Sequence, residues 1–505
     1  MRVDLTKFKQ LYEQLFEIDY TGTASGICVS LNVASIRAAT VKGAPFLPMV
    51  YQQNYAAPLD ANLPGIVSKL NQQVQSGEHP PEYRAQVLEA LYGAIYQHGH
   101  RVTKVEARPQ LKRFLAVVSN LYRSFIDASK RTNAGVELVE NTPPLALFQS
   151  VSNGPFTIES DVMKQKVGVS IGVVSLPATY RDHPVIWAGL AHEVGGHDVV
   201  HADAGLVGEM VSKAQALLSP HFAPRTNLDT AAKNALLWSY WMDEAAADVY
   251  GILNMGPSFA LNLAGFLAAY RARRRGQTDP GDPFVGIDAE LQPHDVMDDH
   301  PIDLLRLYVA AGAVAGLKGL SAGRRNDYVA AIEAVAKLVA VGVTEVGLHG
   351  SVKIEGFDKI DLDANMKLPD AAEAARKVGK MLATESFAKL NNHCIQDIET
   401  WDDADEAIAQ DVCARVLAGK SIIAAGDDAQ LLAGVTLALL QEPGLYDAAT
   451  KLFNAALERQ RGGSAADRIA MHADGRELWR DQPSHFEIAE ADDGDRLLRG
   501  RGVAR

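Results

Sequence analysis

Three histidines and a glutamate crowd into ten positions of an otherwise apolar stretch. They are His192, Glu193, His197 and His201, in AHEVGGHDVVHAD (Ala191–Asp203). Ionisable side chains on a buried helix are costly unless they are paired or metal-bound. Two imidazoles and a carboxylate form a donor set that zinc takes. In the HExxH zinc-peptidase helix the histidines are four apart and share a face; His192 and His197 are five apart. On a regular helix, positions i and i+5 point about 140° apart. Both reach one ion only if a residue is looped out, as in a π-bulge. Gly195 and Gly196 lie inside the interval, and glycine tolerates unusual torsions. Without a functional reason, two adjacent glycines cost a helix about 2 kcal/mol relative to alanine.

A catalytic zinc keeps three protein ligands and one open position. The stretch WMDEAAADVYG supplies a candidate third ligand, Glu244. Asp248, four residues on, shares its helix face and can accept the N–H of a ligating histidine, fixing the ring. Asp243 can add a hydrogen bond or stay solvated. The neighbours Leu236, Leu237, Trp238, Trp241 and three alanines make this helix mostly apolar, so its acids need a buried partner.

The pair HEVGGH (192–197) and DEAAADVYG (243–251) resembles the gluzincin zinc metallopeptidases. The six-residue first motif is similar to that of dipeptidyl peptidase III, and the second also resembles the thermolysin type. The resemblance covers about 60 residues and stops there. It implies one zinc per chain held by His192, His197 and Glu244, with Glu193 as general base and Asp248 orienting a ligand. The arginine usual in the second motif of dipeptidyl peptidase III is Ala246 here, so dipeptide release is not carried over. The implied activity is hydrolysis of a peptide or protein substrate by zinc-activated water. Glu193 would take the water's proton and pass it to the leaving amine. His300, at a helix entrance, is the candidate oxyanion donor, with His294, Tyr180 and Tyr250 as weaker ones. Arg181, Arg306 or the arginines of 271–275 could hold a substrate carboxylate, and Tyr180 is a further substrate-facing candidate. The β-prone run Val167–Tyr180 matches the edge strand that gluzincins offer to a peptide.

Two other readings stay open. His197-Asp198 is the dipeptide of HD-type phosphohydrolases, and His197 and His201 form an i, i+4 pair with Asp198 as base. Alternatively, the chain is a zinc-binding, non-catalytic interaction module.

The elements that must position these residues are mostly helical. Amphipathic runs occupy 82–97 and 109–130, and a helix is expected from Asp182, its N-cap, with Pro184 in the first turn. Further helices are expected at 228–253, after Pro301, and at 370–383 and 427–440. Strand is expected at 27–36 and 343–368, loop at 43–58. The fold class is mainly α with a small β-sheet (α+β). A catalytic core over 131–320 would lie between an N-terminal region (1–130) and a mostly helical C-terminal one (321–488). Residues 489–505, acidic and then basic, are expected to be a disordered tail.

Composition sets the boundaries. The 505 residues carry 49 basic and 62 acidic side chains, a net charge of −13, which disfavours wholesale nucleic-acid binding. Three cysteines far apart, Cys28, Cys394 and Cys413, form neither a disulfide framework nor a cysteine zinc site. The N-terminal segment is broken by acids, so no signal peptide is expected there. No run of about 18 apolar residues predicts a membrane span, so a cytoplasmic location is expected.

Overall fold

A computed structural model describes residues 4–18, 51–77, 81, 83–99, 108–138, 142–149, 155–220, 229–283, 287, 300–352, 360–423 and 426–461. The expected strand at 27–36, His294 and the tail from 489 lie outside these residues. Most described residues are helical, with three small sheets among them. That agrees with the mainly α expectation.

The sheet beside the site has the order β1-β3-β2, with β1 Leu145–Gln149, β2 Phe156–Ile158 and β3 Val173–Pro177. β3 runs parallel to β1, from Leu145↔Val173 to Gln149↔Pro177, and antiparallel to β2 through Phe156↔Ser175 and Ile158↔Val173. The run Val167–Tyr180 is therefore not the edge strand. Its strand portion, VVSLP, is buried at every position, the pattern of a strand covered on both faces. Val167 ends a helix instead, Ser160–Val167, closed by Gly168 at φ 86°. Among the described residues the edges are β1 and β2, and β2 is the one that packs on the histidine turn. A second antiparallel pair, β4 (Glu345–Val352) and β5 (Ile360–Lys367), accounts for the β-prone 343–368.

Six helices frame the site: α1 (Arg108–Ile126), α2 (Gly189–His192), α3 (Thr230–Tyr240), α4 (Met242–Met255), α5 (Asp303–Ala315) and α6 (Leu368–Thr384). Asp182 does not cap the histidine helix. Two 3₁₀ turns, Ala178–Asp182 and Pro184–Ala188, precede it. Proline disfavours the α region for the residue before it, and His183 is at φ −120°, ψ 59°. The helix expected over 228–253 is two, α3 and α4, parted at Trp241 (φ −87°, ψ 11°). Asp229 caps α3 by accepting from Ala232 N at 2.8 Å, and Gly256 at φ 79° ends α4. The part of the expected 43–58 loop that is described, from Tyr51 on, is helical.

One apolar core runs from Phe8 to Leu457 and crosses the expected boundaries at 130 and 320. The contact of α5 with α6 shows why. A Cβ on Gly312 would lie 2.1 Å from the Arg376 carbonyl oxygen, and one on Gly379 2.0 Å from that of Val309. Glycine at both positions lets the two backbones touch. α5 packs in turn on α4, so the C-terminal half buttresses the site. No described helix is long and apolar enough to cross a membrane.

Candidate metal centre

The histidine helix changes pitch at the point the spacing requires. α2 ends at His192, and Glu193–Asp198 is a π-helical turn. The wider turn brings His192 and His197 onto one face. Their Nε2 atoms stand 3.2 Å apart with the rings at 89°. The glycines serve this turn by their size, since neither has a positive φ. A Cβ on Gly196 would lie 2.5 Å from Ala247 Cα, and one on Gly195 2.9 Å from Asn254 Nδ2. The close approach seats α4 against the π turn and delivers Glu244. Its Oε2 is 3.1 Å from His192 Nε2, and its Oε1 is 3.4 Å from His197 Nε2. His192, His197 and Glu244 thus form a candidate metal-binding triad, with ligand atoms all within 4.8 Å of one another.

A second set of residues holds the triad. Asp248 Oδ1 lies 2.9 Å from His192 Nδ1, which leaves Nε2 directed at the centre. Arg306, from α5, donates to both Asp248 oxygens at 2.8 Å. It is only 4% exposed. That placement corrects the expectation that Arg306 holds a substrate carboxylate: its fork is spent on Asp248. Asp243 stands 3.5 Å from His197 Nδ1 and 2.9 Å from His201 Nε2. Its hydrogen-bond partner is His201, outside the triad, and its approach to His197 is electrostatic.

Burial would lower the basicity of both histidines of the triad. Hydrogen bonds to Asp248 and Glu244 reverse this at His192, and the Glu244 charge with Asp243 does so at His197, so both are raised. Burial would raise Asp248, but the Arg306 guanidinium brings it to about 2. Burial would raise Glu244 as well, but the charges of His300 and His197 hold it well below the ordinary carboxylate range. His201, despite burial, is pushed up to about 9 by Asp243. Three carboxylates, those of Asp243, Glu244 and Asp248, thus surround the two imidazoles, and Arg306 balances Asp248.

The donor set fits a dication. Two nitrogens about 2.0–2.1 Å from a tetrahedral zinc stand about 3.3 Å apart, close to the 3.2 Å between the imidazoles.

A cavity of about 350 Å³ opens over the triad, and Glu193 and His300 line it. His300 Nε2 is 3.5 Å from Glu244 Oε1, and its side chain is 46% exposed. Sequence reasoning missed five other lining residues: Pro155 just before β2, Phe156 and Thr157 on it, Glu159 just after it, and Tyr240 at the end of α3. A three-residue strand between turns gives little periodic signal.

The remaining candidates lie elsewhere. Tyr180 is 1% exposed and packs edge-on to Phe266, with its carbonyl accepting from Trp187 Nε1. It is a core residue, not a substrate contact. Tyr250 is also buried, against Phe125. Arg181 pairs with its neighbour Asp182 and does not line the cavity.

Compared with protein-family models, curated proteins and solved structures, the chain matches none.

Proposed function

We propose that the chain is a zinc-dependent metallopeptidase of gluzincin type that hydrolyses peptide bonds. One observation carries this reading: the π turn converges His192, His197 and Glu244 on one point while Glu193, beside His192, faces the same cavity. Zinc is the ion of choice because the donors are two imidazoles and a carboxylate at tetrahedral spacing.

When bound, zinc supplies Lewis-acid polarisation and a water acidified towards pKa of about 7. The chain's own groups do the rest. Glu193 accepts a proton from the attacking water and returns it to the leaving amine. His300 donates to the oxygen on which charge develops. Asp248, fixed by Arg306, keeps His192 in one tautomer. The charged lining of the cavity, histidines apart, includes Glu159, Glu193, Asp243 and Glu244 and no lysine or arginine. Peptides with a positive charge beside the scissile bond are therefore the favoured substrates.

The phosphohydrolase alternative needs Asp198 at the metal. Its Oδ1 instead takes a 3.3 Å contact from Ser160 N, and the side chain is 1% exposed beside Gly172. The test is the zinc content of the purified protein, followed by digestion of a peptide library with and without chelator. Chelator-sensitive cleavage that disappears in Glu193→Gln supports the reading. A zinc-loaded protein that cleaves no peptide sinks it and favours the non-catalytic module.

A further inference from the structure

We infer that Thr157 is a positioning residue for the general base, fixing one oxygen of the Glu193 carboxylate so that the other faces the reacting water. The inference rests on the peptidase reading above. Thr157 Oγ1 stands 2.9 Å from Glu193 Oε2 and 3.0 Å from the Glu193 carbonyl oxygen. A glutamate at the surface of a helix has three rotatable side-chain bonds and several rotamers. A hydroxyl donating to one carboxylate oxygen selects among them and leaves the second oxygen with its lone pairs free.

The platform beneath Thr157 suits this task. It is the middle residue of β2, paired with Val174 of β3, and β3 is clamped on its other side by β1 over five residue pairs. A site residue carried on a paired strand is held more tightly than one on a loop. The 3.0 Å contact with the carbonyl ties the strand to the first residue of the π turn. The one hydroxyl hydrogen is shared between the carboxylate and carbonyl oxygens of Glu193 as a three-centre bond, which registers base and strand to each other. Threonine adds a branched Cβ that restricts its own χ1, so the hydroxyl is directed before the contact forms.

The experiment compares Thr157→Val, which keeps the shape and removes the hydroxyl, with Thr157→Ser, which keeps the hydroxyl. With a cleavable peptide, Thr157→Val is expected to lower kcat about ten-fold or more, the usual weight of a hydrogen bond to a charged group. KM and zinc affinity should change less than about two-fold, since transition-state and ground-state effects separate in this way. Thr157→Ser should restore most of kcat. Crystal structures of the zinc-free proteins give a readout independent of turnover. The Glu193 carboxylate should hold one position in wild type and in Thr157→Ser, and leave it in Thr157→Val. Unchanged kcat in Thr157→Val, an equally impaired Thr157→Ser, or an unmoved Glu193 carboxylate would each overturn the inference. If wild type cleaves no peptide, the peptidase reading fails, and the crystal structures still decide whether Thr157 places Glu193.

Discussion

The imidazoles of His192 and His197, five residues apart in the chain, face each other at 3.2 Å across the carboxylate of Glu244. A regular helix would turn them about 140° apart. The π turn Glu193–Asp198 removes that angle, and α4 approaches closely enough to bring Glu244 because no side chain projects from Gly196.

Gly196→Ala should therefore break the centre. The added Cβ would meet backbone and Cβ of Ala247 at 2.5 Å, and neither can yield without moving α4. Overpacking of this kind costs about 1–3 kcal/mol. A lower Tm and lost zinc are expected. Gly195→Ala meets the end of a side chain, Asn254 Nδ2, and should be milder. Wild-type zinc content and Tm in Gly196→Ala would show that the approach is not needed.

Glu193→Gln should cut kcat by about 10²–10⁴-fold, the usual contribution of a positioned acid–base group, while zinc binding measured by direct titration stays intact. Equal loss of zinc and turnover would make Glu193 a structural residue.

Arg306 separates two roles. As the partner of Asp248 it holds His192, a residue of the candidate triad. Arg306→Leu should weaken zinc binding about 10–100-fold. It should also destabilise the fold by about 3–5 kcal/mol, since it strands a buried carboxylate. KM of the fully zinc-loaded enzyme should hold. A raised KM with unchanged zinc affinity would return Arg306 to the substrate.

How much of this could be read from the sequence varies with the kind of signal. His192, His197 and Glu244 were legible because histidine and acid on apolar helices violate the burial pattern and so announce a partner. The π turn was legible from the five-residue spacing once both histidines were required to reach one ion. The glycine pair was read as torsional freedom, whereas its use is space, which only the position of Ala247 on another helix reveals. Arg306 and Tyr180 looked like substrate contacts because sequence does not show which face of a helix or turn is buried. β3 was taken for an edge because its partner β1 lies 28 positions upstream (Leu145↔Val173). Thr157 gave no signal, since a lone threonine on a short strand has no pattern to break.

Glu159 should set charge preference. It lines the cavity within the field of His197 and His201, and burial raises its pKa. Glu159→Gln should lower kcat/KM about five-fold for a lysine-bearing peptide relative to its uncharged counterpart, since one ion pair is worth up to about 1 kcal/mol. Parallel changes for both peptides would remove Glu159 from recognition.

His98 should make stability depend on pH apart from the metal centre. It is 2% exposed, and its Nε2 lies 2.6 Å from the Ala146 carbonyl oxygen of β1, to which a neutral Nε2–H donates. Burial pushes the imidazole down to about 4, although the bond to Ala146 raises it in part. The folded pKa is thus below the unfolded value of about 6.5. Above that value the imidazole is neutral in both states and its contribution is complete. As pH falls from about 6.5 to about 4, the unfolded chain binds a proton that the folded chain refuses, and stability drops by about 3 kcal/mol in all. His98→Gln keeps a donor for Ala146 without titrating. Denaturant unfolding of the zinc-free proteins should show a shallower loss of stability in the variant across this window. Parallel curves for the two proteins would mean that His98 is not the group responsible.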